Sequence, residues 1–146
     1  MEVLEIKFAS DWNNRIKDLP GAHALQTWEW GQFKSQFGWE PFPLAWQGDD
    51  GETLAAALVL QRRISLWKFD IPLNVMYCPR GPLLDWGNQA LVQEVLDDLQ
   101  NFTRHQGGIF LKIDPDLPVG FGIPGEEGSK DHPTGQRTLE MLAAHG

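Results

Sequence analysis

The sequence has one cysteine, one tyrosine and only four histidines, and these scarcities exclude several classes of protein. A single cysteine cannot form an internal disulfide, which indicates a reducing compartment. The histidines are far apart in the chain, and no pair of potential ligands has the spacing of a zinc site, so we predict no metal centre. The glycine patterns of Walker and dinucleotide phosphate loops are also missing, which argues against a nucleotide cradle of either kind.

Basic residues are scarce too. Twelve Lys and Arg stand against twenty Asp and Glu, for a formal net charge of −8. Because nucleic acid phosphates are bound by clustered basic side chains, we do not expect this chain alone to bind DNA or RNA. No apolar run approaches the roughly 18–20 residues of a membrane span, and the N-terminus lacks the basic and apolar regions of a signal peptide. We therefore predict a soluble cytoplasmic protein, with the inner face of the membrane as the alternative location.

The residues that are present suffice for one globular domain. The 146 residues are 42% hydrophobic and include seven tryptophans, which is typical of a chain with a core. Periodicity and turn residues predict the order β-α-α-β-β-β-loop-α-β-α, a mixed α+β or α/β fold. The predicted helices are residues 11–18 capped by Ser10, 28 to about 37 capped by Thr27, 89 to about 105 capped by Asn88, and 138–144. The predicted strands are residues 3–8, 39–46, 53–64, 71–76 and 109–113.

Two of these elements have a predicted orientation. Trp30, Phe33 and Phe37 recur at helical spacing and predict one apolar face on the second helix, with Lys34 at the edge of that face. The run 53–64 follows a hairpin turn at residues 48–51 and is apolar enough to predict a central strand that is buried on both faces.

The most distinctive stretch is residues 77–85, Tyr-Cys-Pro-Arg-Gly-Pro-Leu-Leu-Asp. Neither of its prolines fits a central strand, because proline fixes φ and removes a hydrogen-bond donor. Gly81 permits either a close backbone approach or a positive φ. We predict a stiff, irregular loop that presents Arg80 and Asp85 at a defined place, as binding loops do. The alternative is a proline-rich connector with a surface ion pair.

Three further groups have two interpretations each. Cys78 can be a thiol nucleophile, but a small packed residue is the favoured interpretation. Asp114 and Asp116 lie at a strand end, where capping the turn is favoured over forming a site. Arg62 and Arg63 can touch an anionic partner, but a solvated strand end is favoured.

Three blocks of this sequence carry a resemblance. They are Leu-Gln-Thr-Trp-Glu-Trp-Gly-Gln-Phe-Lys at 25–34, Pro-Arg-Gly-Pro-Leu-Leu-Asp at 79–85 and Phe-Leu-Lys-Ile-Asp-Pro-Asp at 110–116. In order and spacing they resemble the Fem family, the peptidoglycan bridge-forming aminoacyltransferases FemA, FemB and FemX. The residues Thr-Leu-Glu-Met-Leu at 138–142 also resemble the next helix of that family. The resemblance covers nearly the whole chain.

The resemblance implies a fold of two GNAT-like acyltransferase domains in tandem, of which this chain matches the first without its last strands. On this basis we expect a GNAT-like precursor-binding domain at residues 1–118, a flexible Gly/Pro-rich loop at 119–137 and the start of a further helix at 138–146. The chain stops directly after an apolar helical piece, so we expect it to be truncated.

The resemblance also implies an activity, which is transfer of an amino acid from aminoacyl-tRNA to the stem peptide of a peptidoglycan precursor. The first domain would hold a UDP- or lipid-linked muramyl peptide, and aminoacyl-tRNA would be engaged through a second domain that this chain lacks. No cofactor is implied. The pyrophosphate turn of CoA-dependent GNAT enzymes fails at its last position in the nearest candidate, residues 104–109. An N-acyltransferase with another acyl donor and a non-catalytic precursor-binding domain remain alternatives.

The site residues follow from the same resemblance. Lys34 and Arg80 resemble the cations with which the family binds the precursor phosphates. Fixed positive charge suits this role, because charged hydrogen bonds to phosphate are strong. Tyr77 is expected to hydrogen-bond to or stack on the sugar or uracil, and Gly81 is grouped with these substrate-binding residues. Asp85 is the candidate catalytic base for the acceptor amine; its alternative role is to brace its own loop.

Overall fold

The computed structural model describes residues 1–66 and 69–145, and at residues 66, 69–72 and 145 it describes the main chain alone. The helices within these ranges are α1 (Ala9–Ile16), α2 (Trp28–Ser35), α3 (Gln89–His105) and α4 (Pro133–His145), with a 3-10 turn at Ala24–Gln26. The strands are β1 (Glu2–Glu5), β2 (Glu40–Gln47), β3 (Thr53–Leu66), β4 (Phe69–Cys78), β5 (Leu83–Leu84), β6 (Gly108–Ile113), β7 (Gly120–Phe121) and β8 (Lys130–Asp131).

One mixed sheet organises the molecule. Its strand order is β1-β2-β3-β4-β6, with β5 paired to the first part of β3 and β7-β8 forming a separate small pair. The pairs from β1 to β4 are antiparallel, whereas β6 runs parallel to β4, to which α3 connects it. The predicted mixed fold is confirmed, and α3 with its Asn88 cap has the predicted bounds, since Asn88 accepts a hydrogen bond from Leu91 N at 3.2 Å.

The strand β3 is central and buried on both faces, as predicted. Each residue from Ala55 to Leu60 is at most 1% exposed. On one face Ala56 packs in a cluster with Trp12 of α1, and on the other face Ala55 packs with Trp46 and the apolar side of α3. The small alanines leave room for these large side chains, because interiors are packed closely.

The sheet has a gap beside the middle of β3, and a glutamine side chain fills it. β4 pairs with β3 as far as Leu60, and β5 pairs with Ala55 and Ala56. In between, the Leu58 N–H donates to Gln26 Oε1 at 2.7 Å, and Gln26 Nε2 donates to the carbonyl of Pro79 at 2.5 Å. Gln26 is fully buried, so its amide satisfies main-chain groups that the departing strand leaves without a partner.

The helix α1 begins at Ala9, two residues before the predicted start. Its cap position is Phe8, whose side chain makes no cap hydrogen bond, so the prediction of Ser10 as cap is wrong. Ser10 lies inside the first turn and cannot occupy the extended conformation of a cap. The predicted Thr27 cap of α2 is confirmed by a 3.3 Å hydrogen bond from Trp30 N.

The predicted apolar face of α2 is wrong. Phe33 and Phe37 are 47% and 57% exposed, and the buried residue of the helix is Gly31. A Cβ atom at Gly31 would lie 3.1 Å from Pro41 Cβ and 3.4 Å from Leu58 Cδ1. The helix therefore approaches the sheet closely along its glycine, which turns the phenylalanines outward.

The segment predicted as a loop at 119–137 contains structure. β7 and β8 pair as a hairpin, and α4 begins at Pro133, five residues earlier than predicted. Proline suits the first turn of a helix, where its missing N–H has no partner to lose. The His132 N–H donates to the carbonyl of Val119 at 3.0 Å, which ties the start of α4 to the start of the hairpin.

Candidate functional site at the open face of the sheet

The strand register builds a surface from six side chains on the face that carries α1 and α2. The rows across β3, β4 and β6 are Leu60, Tyr77 and Lys112, then Arg62, Val75 and Phe110. Directly paired residues point to the same side of a sheet. Because α1 and α2 pack on β2 and β3, the β4 and β6 side of these rows is left accessible. Leu60 is buried under the helices, whereas Phe110 is 52% exposed. We call these two rows the open face.

Two cations converge on one indole at the margin of the open face. Lys34 Nζ lies 5.3 Å from the ring centroid of Trp39, and Arg62 Cζ lies 5.7 Å from the same centroid. Lys34 is also 5.8 Å from the Trp30 ring. These are cation–π distances, so Lys34 is held between two tryptophans as its predicted place at the helix edge allows. Arg62, predicted as a solvated strand end, belongs to the same group.

These cations have no acidic partner among the residues that the structure describes. The ion pairs formed there are Lys7–Glu5, Arg15–Asp11 and Arg80–Asp116. In a chain of net charge −8, basic side chains that carry no carboxylate form a local positive field that attracts anions.

The loop after β4 is a tight turn built on Arg80. Arg80 has φ of 52°, so the positive φ predicted as an option for Gly81 belongs to Arg80. Gly81 shows the other option, a close approach: a Cβ atom there would lie 2.7 Å from Cys78 Sγ and 2.9 Å from Gln26 Nε2. Gly81 is buried and supports the loop; its contact with substrate stays a prediction.

The two carboxylates after β6 contact this loop. Asp114 Oδ2 accepts the Tyr77 hydroxyl at 2.9 Å, and Asp114 Oδ1 accepts the Arg80 N–H at 2.7 Å. Asp116 Oδ1 lies 3.5 Å from Arg80 Nη1. The prediction that these carboxylates merely cap their own turn is therefore wrong. One signal could have shown this: strands joined by a helix run parallel, and their carboxyl ends meet at the same edge.

Burial and the Asp114 carboxylate affect Tyr77. Burial raises its pKa above the usual 10.0, and the hydrogen bond and negative charge of Asp114 raise it further. Lys112 Nζ lies over the Tyr77 ring at 5.3 Å from its centroid, a cation–π contact. Tyr77 is therefore a neutral hydroxyl at neutral pH, and its donor is already engaged with Asp114.

A cleft of about 270 Å³ lies beside the loop and is lined by both of the residues that the loop was predicted to present, Arg80 and Asp85, together with Asp116 and Thr134. Asp85 Oδ1 accepts the Gly87 N–H at 2.8 Å, which is the bracing role. The role of Asp85 as catalytic base stays a prediction.

The structure separates Lys34 from Arg80. Lys34 belongs with Arg62, whose partner on β4 is Val75, and Arg80 follows the end of that strand at Cys78. Three strand residues span about 10 Å. A ligand that meets both cations must therefore extend along β4.

Cys78 is a packed residue. It is fully buried, and burial raises the pKa of its thiol to about 12. A protonated thiol without solvent access is a poor nucleophile.

Other features of the described residues lie mainly apart from this site. A larger cavity of about 410 Å³ lies on the α3 side of the sheet, between α3, β6 and Leu142, and Phe110 at the edge strand contributes to both this cavity and the open face. Within residues 1–66 and 69–145 no three His, Cys, Asp or Glu side chains are grouped to hold a metal ion. None of the described helices has the length and apolar character needed to cross a bilayer.

Comparison with known proteins gives a consistent result. Residues 9–146 match the FemAB family. The lipid II:glycine glycyltransferase of Staphylococcus haemolyticus (strain JCSC1435) is 28% identical over 108 residues, which are 74% of this chain and 25% of that protein. The protein of the same name from Staphylococcus aureus is 28% identical over 107 residues, 73% of this chain and 24% of its own length.

The fold is similar to that in a crystal structure of FemX, with a TM-score of 0.75 and 25% sequence identity over 97% of this chain and 31% of that one. The expected GNAT-like fold is thereby confirmed. The chain spans about a quarter of the length of the curated relatives it matches.

Proposed function

The chain belongs to the FemAB family, and from this premise we propose that it forms the precursor-binding part of an aminoacyltransferase that builds peptidoglycan bridges. The acceptor is a muramyl peptide linked to UDP or to lipid, and the amino acid is added to its stem peptide. The relatives named lipid II:glycine glycyltransferase support this acceptor class.

One observation carries the proposal: Lys34 and Arg62, which have no carboxylate partner among the described residues, border a partly exposed aromatic surface on an acidic protein. Lys34 and Arg62 share the Trp39 ring at one end of the open face, and Arg80 lies beyond the other end. A diphosphate needs fixed positive charge, and a sugar or uracil ring needs a flat apolar surface such as Tyr77 and Phe110 offer. The ligand lies along β4 in this arrangement.

The donor is aminoacyl-tRNA in this proposal, and no cofactor takes part. Two features support an acceptor-binding role for this chain. Its net charge of −8 is unsuited to tRNA. Lys34 and Arg62, which form no ion pair among the described residues, lie together at the margin of the open face.

The test is calorimetric titration of the 146-residue chain with UDP-MurNAc-pentapeptide. We expect Lys34→Ala, Arg62→Ala and Arg80→Ala each to weaken binding by about tenfold, the usual effect of losing a hydrogen bond to a charged group. Arg104→Ala is the matched control, because Arg104 is an exposed cation on α3 and lines the cavity of the opposite face.

Unchanged affinity in both Lys34→Ala and Arg80→Ala would show that the site is misassigned. Equal weakening by Arg104→Ala would show that net charge matters and the open face does not.

The alternative acyl donor, CoA, is disfavoured by the position of the glycine pair in the candidate pyrophosphate turn at residues 104–109. Gly107 and Gly108 follow the end of α3 and lead into β6. A helix C-terminus carries partial negative charge, whereas a pyrophosphate is bound at a helix N-terminus. Saturable binding of acetyl-CoA in the same calorimeter would favour this alternative.

A further inference from the structure

The Asp114 carboxylate engages two candidate substrate-binding residues at once. One oxygen accepts the Tyr77 hydroxyl at 2.9 Å and the other accepts the Arg80 main-chain N–H at 2.7 Å. Neither contact uses the Arg80 guanidinium. Asp114 therefore fixes where the two residues stand relative to each other without occupying the charge of the arginine.

The Arg80 backbone needs this support. Its φ of 52° lies in the left-handed region, which a residue with a Cβ atom enters at a cost and keeps only where its surroundings enforce it. The direction in which a side chain leaves the main chain depends on φ. Because Asp114 holds the Arg80 N–H, it constrains the direction in which the Arg80 side chain leaves the main chain.

Asp116 contacts the same arginine in a different way. Its carboxylate lies 3.5 Å from the guanidinium, and the two side chains are 65% and 46% exposed. An ion pair this exposed is weak and exchangeable. It occupies the group that a phosphate or carboxylate of a ligand would need.

We propose that Asp114 is a positioning residue that aligns Tyr77 and Arg80 for the anionic precursor, and that Asp116 holds the Arg80 guanidinium until an anionic group of the ligand replaces it. This inference rests on the proposed function, since it needs an anionic muramyl peptide at this site. It predicts that neutralising one of these two carboxylates weakens precursor binding and that neutralising the other strengthens it. If the segment had a merely structural role, both substitutions would change the affinity in the same direction.

The experiment compares three variants of the 146-residue chain, each of which removes one negative charge. Asp114→Asn is expected to weaken UDP-MurNAc-pentapeptide binding by about tenfold, and Asp116→Asn is expected to strengthen it by about threefold. Glu94→Gln, an exposed carboxylate on α3, controls for the change in net charge and should leave affinity unchanged.

A second measurement needs no ligand. Tyr77 is the only tyrosine in the chain, so the ultraviolet absorbance of tyrosinate follows its ionisation alone. Asp114→Asn should shift this titration toward lower pH, because the carboxylate that opposes ionisation is gone, and Glu94→Gln should not shift it. An unshifted titration in folded Asp114→Asn would show that the Asp114 carboxylate does not hold the Tyr77 hydroxyl.

The outcomes separate the two levels of the argument. Failure of the wild-type chain to bind the precursor overturns the proposed function and, with it, this inference. If the wild type binds and Asp114→Asn binds equally well, only the positioning role is wrong. Should Asp114→Asn not fold, the exposed Asp116→Asn decides: weaker or unchanged binding overturns the competing role and, with it, the proposal.

Discussion

The Cys78 thiol lies wholly inside the protein, next to the amide of Gln26 at 3.6 Å. An ionised sulfur there would lack water, which is why the pKa rises to about 12. In the unfolded chain the same thiol ionises near pH 9. Between these values the folded state retains a proton that the unfolded state has lost.

We therefore expect the free energy of unfolding to fall as pH rises from 9 to 12, by about 4 kcal/mol over the window. Below pH 9 both states hold the proton and the dependence disappears. Urea titrations at stepped pH measure the slope, and Cys78→Ala should reduce it. The raised pKa of Tyr77 acts in the same direction and accounts for a remaining slope. A wild-type slope as shallow as that of Cys78→Ala would contradict this account.

At the scale of elements, the sequence predicts a helix or strand correctly wherever local residues alone determine its bounds or its burial. The helix α3 has a capping Asn88, an uninterrupted apolar face and a Gly107-Gly108 stop, so its bounds were predictable. The alanine-rich β3 was recognisable because a strand buried on both faces needs no alternation.

The predictions are wrong where contacts between residues distant in the sequence determine how an element packs or which groups a side chain binds. Whether α2 would pack through its phenylalanines or through Gly31 depends on how closely Pro41 and Leu58 approach, and neither lies in the helix. The contacts of Asp114 with Tyr77 and Arg80 join residues more than thirty positions apart. The candidate residues Arg80 and Asp85 are predictable because one stiff loop carries both. The place of Arg62 is not, because its partner Trp39 lies in the turn before β2, far from it in the sequence.

The gap beside β3 gives an element-scale prediction. Gln26→Ala would leave the Leu58 N–H and the Pro79 carbonyl buried without partners, and we expect a loss of about 3 kcal/mol of stability. Chemical denaturation measures it. Gln32→Ala, at an exposed position of α2, should change stability by less than about 0.5 kcal/mol. Similar losses in both variants would show that the bridge is not stabilising.

At the scale of the whole molecule, the proposed anion site lies on a protein of net charge −8. The two facts are compatible because the cations are local and their field is short-ranged in salt, falling off over about 8 Å at physiological ionic strength. The remaining surface repels polyanions, and the open face attracts a small one.

We expect the 146-residue chain to bind the precursor without turning it over, since it spans about a quarter of its curated relatives. Incubation with glycyl-tRNA and UDP-MurNAc-pentapeptide, followed by mass spectrometry of the peptide, tests this expectation. A product heavier by one glycine would contradict it and would place the whole catalytic apparatus within these residues.

The amide bridge from Gln26 also determines what a hydrogen–deuterium exchange measurement would report. The neighbouring amides of β3 exchange when a strand detaches, but the Leu58 amide is covered by a side chain. It becomes accessible when Gln26 releases it, and that same amide group holds the Pro79 carbonyl beside Arg80. The exchange rate of the buried Leu58 amide proton therefore reports how often the loop that carries Arg80 opens.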